Sequence, residues 1–528
     1  MNQLLTVADA VAAHARLQPN KIGARDSTRA LTFAQWHDRA TRLANGLLGL
    51  GLVKGDRVAL LAYNCIEWME LYVALARAGL VAVPINFRLT APEIAYIAGH
   101  CEARACIVQH DLIDRVDAIR SELAVEPQAY ICINRGASNA ALPGWQDYEA
   151  LIGGAGNALP AAAVAEPVRP GDCCALMYTS GTTGRPKGAI RSHEGNSLIA
   201  LATALEMGFT RDDTALLVMP MCHANSLYFS HTFVHLGATC VIDDRPSFDP
   251  EALLATLARE GVTFTSLVPT HFIMMLGLPE ATRARYDVSA VAKLMISSAP
   301  VRKDTKLAIL DHFRNGKLYE LYGATETGWV TLLRPEEQID RLGTVGREWA
   351  GSGAIRMLDV DGHEVADGEV GELHSRTPYV FDGYWKNPEK TAECFRDGWC
   401  SVGDMALRGA DGFITLVDRK SNMIISGGEN VYPSEVESVF GAHAKIKDVA
   451  VIGVPHEKWG EAVQAVIVLH ADQQVSAAEL LEWCRPRLAG FKRPQSLVFV
   501  ADHDMPRTAT GKILHRVLRD RLSVTDSA

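Results

Sequence analysis

The segment that most restricts how this chain folds is Tyr178-Thr179-Ser180-Gly181-Thr182-Thr183-Gly184-Arg185-Pro186-Lys187-Gly188. Small hydroxyls, glycines and a closing lysine are a composition that a hydrophobic core does not accommodate. Before it, Cys173-Cys174-Ala175-Leu176-Met177 reads as a buried strand. After Ser192, apolar residues recur at helical spacing at Leu198, Ile199, Leu201, Ala202 and Leu205. The pattern predicts a glycine-rich turn between a strand and a helix. Such a turn exposes backbone N–H groups and lets the main chain approach a phosphate closely. Lys187 adds a point charge, and Ser180, Thr182 and Thr183 add hydroxyl donors. A Walker loop is excluded, because its Gly-Lys-Ser/Thr ending is replaced here by Pro186-Lys187-Gly188. An ordinary flexible surface loop is the bland alternative.

A chain of 528 residues predicts more than one domain. Its 48% hydrophobic and 22% charged content is that of a globular protein. A formal net charge of −10 argues against general nucleic-acid binding, though not against a local phosphate site. The eleven cysteines lack metal-site spacing, and Cys173-Cys174 are adjacent within one predicted strand. Reduced thiols and a cytoplasmic location are therefore expected. Met1 to Ala13 lacks a signal-peptide pattern, no apolar run is long enough for a membrane span, and the last residues are not a Ser-Lys-Leu signal.

Strand-like and helix-like segments alternate over most of the length. Phe33 to Leu50 reads as an amphipathic helix, Arg57 to Leu61 as a strand, Ile66 to Ala78 as a helix and Leu80 to Pro84 as a strand. The pattern recurs at Thr214 to Val218, His231 to Leu236 and Ala238 to Ile242. This is βαβ logic and predicts an α/β fold with mostly parallel sheets. From about Gly346 short strands and turns such as Asp359-Val360-Asp361-Gly362 and Asp411-Gly412 predict an antiparallel, barrel-like piece. After Arg419 a smaller α+β unit begins, with strands at Val449 to Ile452 and Ala465 to Val468. The expected division is 1–419 and 420–528.

The 178–188 string resembles the AMP-binding signature of the adenylate-forming superfamily, which includes acyl-CoA synthetases, peptide-synthetase adenylation domains and luciferases. Further motifs follow in that family's order. Tyr322-Gly323-Ala324-Thr325-Glu326-Thr327-Gly328 resembles its second nucleotide motif. There the resemblance implies an aromatic on adenine, a threonine on the α-phosphate and a glutamate on Mg²⁺. A carboxylate beside ATP is tolerable only with a cation between them. Trp399 to Asp404 resembles the ribose motif, with Val402 where threonine is usual, and Arg419 follows it. Pro506 to Lys512 resembles the C-terminal lysine motif, which implies that Lys512 stabilises charge during adenylation. The resemblance implies three N-terminal subdomains and a mobile C-terminal domain. The residues it assigns to the nucleotide are Thr179, Ser180, Gly181, Thr182, Thr183, Gly184, Lys187, Ser298, Tyr322, Gly323, Asp404 and Arg419. Those it assigns to coenzyme A are Arg88, Gly427, Gly428, Trp459 and Arg493, and Lys420-Ser421-Asn422 is similar to the hinge of crotonobetaine/carnitine-CoA ligases.

The resemblance also places an acyl pocket. His223 would line it, with Asn225 to Tyr228, Val268 to Met274, Ser297 to Ala299 and Leu321 to Val330. Gly323 would leave it deeper than acetate requires, Met274 would leave a second carboxylate unserved, and Ser297, Leu321 and Trp329 would restrict it. A medium-chain or aryl acid is expected. The second choice is a trimethylammonium acid held by Tyr228, Phe272 and Trp329. The implied activity is an ATP- and Mg²⁺-dependent acid:CoA ligase that forms an acyl-adenylate and then the thioester. A carrier-protein ligase and a non-catalytic nucleotide sensor are the competing readings. A homodimer and acetylation of Lys512 by a lysine acetyltransferase are the further partners considered.

Overall fold

The computed structural model describes residues 6–135, 142–158, 166–179, 185–297, 301–426, 429–456, 458–508 and 511–522. The chain divides into two compact units, 1–354 with 375–400, and 355–374 with 401–528.

The first unit holds two sheets. Seven strands form one of them, in the order Gln146–Asp147, Tyr130–Ile133, Ala103–Gln109, Arg57–Leu61, Val81–Pro84, Cys173–Thr179 and Lys187–Ser192. All pairs are parallel except the last. Eight strands form the other, in the order Gly328–Leu333, Lys317–Ala324, Lys293–Ser297, Phe264–Leu267, Thr214–Leu217, Thr239–Ile242, Ile22–Arg25 and Ala30–Thr32. Its interior is parallel and each edge is an antiparallel pair.

The strands are apolar on both faces because helices cover both. Val58 and Leu60 pack into a central core with helices Phe33–Gly49, Glu67–Ala78 and Ala224–Leu236. Their neighbours Ala59 and Leu61 turn the other way, onto Ala91–His100. In the second sheet Tyr319 and Leu321 join the same central core, while Leu318 packs outward with helices Pro250–Arg259, Pro269–Leu276 and Lys303–His312. Helices thus lie between the two sheets and outside each.

The two expected helices and two expected strands between Phe33 and Pro84 are present. One expectation is corrected. The glycine-rich turn joins two antiparallel strands, Cys173–Thr179 and Lys187–Ser192, and the helix His193–Met207 starts only after them, capped by the Ser192 hydroxyl. Backbone pairing over Thr179↔Lys187 to Cys173↔Ser192 satisfies the main-chain groups that a direct strand-to-helix turn would leave open.

The second unit is mostly antiparallel. Asp404–Arg408 pairs with Ile414–Arg419, and Gly362 and Gly412 take left-handed backbone in the two foreseen turns. Ile446–His456 and Gly460–Leu469 form a long antiparallel pair, with Ile424–Ser426 on one side and Ser496–Phe499 added in parallel. Val449 and Val451 face helices Pro433–Gly441 and Ala477–Cys484, and Ala450 and Ile452 face His515–Leu522. Among the described residues no helix is long and apolar enough to cross a membrane. All eleven cysteines are free thiols.

Candidate active site

In the first unit, pairing puts Thr179 opposite Lys187 at the mouth of the glycine-rich loop. The hairpin Lys317–Ala324 and Gly328–Leu333 brings Glu326 to the same place. The Thr179 hydroxyl donates to Glu326 Oε1 at 3.0 Å. A second donor to that oxygen is the Tyr384 hydroxyl, at 2.8 Å. Lys187 Nζ lies 4.2 Å from the centre of the Tyr384 ring, a cation–π contact. Burial first, then the Glu326 charge, pushes the Tyr384 phenol far up, so it stays a donor.

Tyr384 was not legible as a site residue. It arrives because 382–385 runs along the Lys187–Ser192 strand, through Ile190 N to Gly383 O at 2.9 Å and Trp385 N to Gly188 O at 2.8 Å. Its only sequence signal is the run Gly383-Tyr384-Trp385, which by itself reads as a turn. The carbonyls of the 325–327 turn are pinned as well. Thr325 O accepts from the Tyr228 hydroxyl at 3.3 Å, Glu326 O from Phe381 N at 2.7 Å, and Thr327 O from the Thr377 hydroxyl at 2.6 Å.

The donor set fits Mg²⁺ carried in with a triphosphate. One buried carboxylate ringed by hydroxyls and a lysine suits an ion that keeps waters and takes phosphate oxygens; it is not an all-protein cage. Tyr322 is half-buried on the Lys317–Ala324 strand, opposite Thr331. Gly323 is glycine for a local reason: a Cβ there would lie 2.2 Å from the Gly328 carbonyl oxygen. The hairpin itself closes over this position, which accounts for the glycine locally. Ser180, Gly181, Thr182, Thr183, Gly184 and Ser298 lie outside the described residues.

The expected acyl wall is partly assembled. His223 sits at the N-cap of Ala224–Leu236, and its Nε2 is buried without a hydrogen-bond partner. Burial, reinforced by the Arg88 charge, lowers its pKa to about 4, so the ring is neutral at physiological pH. Asn225 donates to both Ser266 Oγ and Ser297 Oγ at 3.0 Å, clamping the carboxyl ends of two parallel strands. Ligands bind at such strand ends in open α/β sheets. Trp329 is buried, donates to Thr203 Oγ1 at 3.0 Å, and meets Tyr228 edge-on with ring centres 5.1 Å apart. Leu321 is buried in the same core.

Two pocket expectations are corrected. Phe272 belongs to the outer core of the eight-stranded sheet, across the sheet from Tyr228 and Trp329, so the three aromatics form no cage. The face of Tyr228 carries the Arg191 guanidinium, 5.3 Å from the ring centre, a poor neighbour for a second cation. Met274 and Ile273 point outward from Pro269–Leu276, because Pro269, Phe272 and Met275 form its buried stripe. Met274 is 44% exposed and lines no closed wall.

In the second unit Asp404 and Arg419 are register partners and pair at 3.0 Å. Lys420 pairs with Glu372 at 2.8 Å, and Ser401 donates to the other oxygen of Glu372 at 2.7 Å. Ser401 thus supplies a hydroxyl beside Val402, though toward Glu372. Thr508 N donates to Lys512 O at 2.7 Å. Desolvation and then the Arg419 charge lower the Lys512 pKa, against Asp404 and Asp418, so all four charges share one neighbourhood.

The coenzyme A candidates are described each within its own unit. Arg88 is exposed beside Phe87 in the first unit, Trp459 is exposed under Lys458, and Arg493 donates to Leu488 O at 2.9 Å. Gly427 and Gly428 lie outside the described residues.

Comparison with known proteins places these groups in context. The AMP-binding enzyme family matches residues 11–385, and the AMP-binding enzyme C-terminal domain matches residues 435–512. The chain is 34% identical to the indoleacetate–CoA ligase of Aromatoleum aromaticum, over 95% of each chain. It is 35% identical to a feruloyl-CoA synthase of an Amycolatopsis species, over 96% of this chain and 97% of that one. Among solved structures it is similar to the anthranilate CoA ligase AuaEII in complex with anthranoyl-AMP, with a TM-score of 0.89, 27% identity, and coverage of 100% of this chain and 99% of the other. On the extent of those matches, and on the motif residues they contain, the chain belongs to the AMP-binding enzyme family.

Proposed function

We propose that the chain is an ATP-dependent acid:CoA ligase acting on an aryl or medium-chain carboxylic acid. The observation that carries this reading is the convergence of the Thr179 and Tyr384 hydroxyls on Glu326, with Lys187 over the Tyr384 ring. A buried carboxylate held by two hydroxyls beside a lysine suits a nucleotide triphosphate and its counter-ion. The similarity to ligases of indoleacetate, ferulate and anthranilate supports the aryl acid.

In the first half-reaction a carboxylate oxygen attacks the α-phosphorus of ATP. The bond to the β-phosphate bridging oxygen breaks, and pyrophosphate leaves with the electron pair. Lys187 and Lys512 supply fixed positive charge for the anionic transition state, and Thr325 donates to an α-phosphate oxygen. Mg²⁺, when bound at Glu326, would neutralise phosphate charge. Asp404 accepts from the ribose hydroxyls, Arg419 orients it, and Tyr322 packs on adenine. In the second half-reaction the coenzyme A sulfur attacks the acyl carbonyl carbon, the thiol proton passes to solvent and AMP leaves. Neutral His223 borders the acid and excludes water. The C-terminal segment from 420 moves between the half-reactions, and the enzyme is cytoplasmic, a homodimer and open to acetylation at Lys512.

The test is AMP release with coenzyme A across acids from acetate to palmitate, with indoleacetate, ferulate, anthranilate and carnitine. Activity peaking at aryl or medium acids supports the proposal. Adenylate formation without thioester on free coenzyme A would favour a carrier-protein acceptor. Carnitine as the best substrate would overturn the reading of the Tyr228 wall.

A further inference from the structure

Arg191 is among the largest side chains that the fold encloses completely, at 1% exposure. It lies in the strand Lys187–Ser192, which leaves the glycine-rich loop. Among the described residues it makes no ion pair within 4 Å of a carboxylate, and its Nη2 has no hydrogen-bond partner. A guanidinium taken out of water with few partners is costly to bury. Its Nη1 contacts lie at the predicted Mg²⁺ motif, and its charge is also felt by the Asp382 carboxyl. Nη1 donates to the carbonyls of Thr325 at 3.3 Å and Glu326 at 3.4 Å, and Nε donates to Asn196 Oδ1 at 3.4 Å. The ring of Tyr228, whose hydroxyl reaches the same Thr325 carbonyl, lies under the guanidinium.

We propose that Arg191 is a positioning residue for Glu326. One nitrogen, Nη1, bridges two consecutive carbonyls, so it ties down the peptide between Thr325 and Glu326 and thereby the carboxylate that Thr179 and Tyr384 hold. This deepens the ligase reading and rests on it for the identity of the ion and nucleotide.

The test is equilibrium binding of ATP by calorimetry across a Mg²⁺ titration, for the wild type, Arg191→Met and Arg191→Lys, with thermal unfolding recorded for each. Groups that orient a metal ligand typically change metal affinity by about 10- to 100-fold, so Arg191→Met should need about tenfold more Mg²⁺ for half-maximal ATP binding. Affinity for ATP without Mg²⁺ should change less, and Arg191→Lys should recover part of the loss. If both variants keep the wild-type Mg²⁺ requirement, or if the loss is equal with and without Mg²⁺, the proposal is overturned. Should Arg191→Met fail to fold, Arg191→Lys decides alone by the same criterion. A wild type that releases no AMP with any acid would sink the ligase reading, while the binding comparison would still judge Arg191.

Discussion

Two hydroxyls share one carboxylate oxygen at Glu326, and that arrangement sets what a single atom is worth there. Hydrogen bonds to a charged acceptor contribute about 1.5–3 kcal/mol, more than neutral ones, and leaving a buried carboxylate short of a donor is costly. Tyr384→Phe keeps the ring under Lys187 and removes only the hydroxyl. It should raise the Mg²⁺ needed for half-maximal AMP release and slow the reaction about tenfold. Glu326→Gln should do so more strongly, and both variants should stay folded. An unchanged Mg²⁺ profile in Tyr384→Phe would show that the phenol serves packing alone. The two residues differ in how far the sequence announces them. Glu326 stands inside a seven-residue run whose hydroxyls and glycines have no core use, so the run itself points to a site. Tyr384 lies 58 residues further on and reaches Glu326 only because a non-repetitive segment pairs with a strand edge. Arg191 is hidden for the converse reason: an arginine in a short strand reads as surface charge until burial is known.

At the scale of elements, periodicity carried most of what could be read. Strands apolar on both faces between amphipathic helices imply covered parallel sheets, and both sheets of the first unit have that form. Periodicity fails for the short strand Lys187–Ser192, which is six residues long and runs directly into a helix. Its pairing with Cys173–Thr179 is a tertiary choice that no window of sequence contains. It also fails to say which face of Pro269–Leu276 is buried, so the packing of Phe272 in the outer core and the exposure of Met274 are not legible from spacing. Trp329 survives as a pocket candidate because it joins strand Gly328–Leu333 to helices His193–Met207 and Ala224–Leu236. Removing it to glycine would leave a large cavity, at a cost of roughly 3–5 kcal/mol or more. Trp329→Leu is the better probe. It should move the acid optimum toward bulkier acids and leave ATP affinity unchanged; an unaltered acid profile would take Trp329 out of the pocket. A second element-level prediction concerns His515, which holds helix His515–Leu522 to Pro433–Gly441 through Glu437 at 2.6 Å. Burial lowers its pKa, but the hydrogen bond and charge of Glu437 outweigh that and raise it. Because the folded pKa is raised, the stabilisation is fully present below the unfolded value near 6.5 and is lost as pH rises through the folded value. Urea unfolding should show that loss in the wild type and not in His515→Gln.

At the scale of the whole molecule, the residues proposed for nucleotide chemistry fall in both compact units. Thr179, Lys187 and Glu326 belong to one, and Asp404, Arg419 and Lys512 to the other. The order of motifs was legible because each is a short run of residues with no packing use. The unit boundary is not a linker: 355–374 group with the C-terminal part and 375–400 with the N-terminal part, a division no local composition marks. If Lys512 serves adenylation alone, its removal should separate the two half-reactions. Lys512→Ala should slow acid-dependent pyrophosphate exchange by on the order of 10²-fold or more, as removal of a fixed electrostatic stabiliser does. Conversion of preformed acyl-AMP to thioester by coenzyme A should persist near the wild-type rate. Acetylation of Lys512 removes the same charge and should reproduce the same split. The lysine also predicts a pH effect. Desolvation and Arg419 hold its pKa below the ordinary value of 10.5, so its charge is lost earlier than a free lysine's as pH rises. Adenylation by the wild type should therefore fall on the alkaline side, while Lys512→Ala, already without the charge, should lack that limb. Equal loss in both half-reactions would mean that Lys512 acts in each of them or supports the fold, and the separation of roles would be abandoned. The ligase assignment would stand apart from that outcome, because it rests on Lys187 and Glu326 in the other unit.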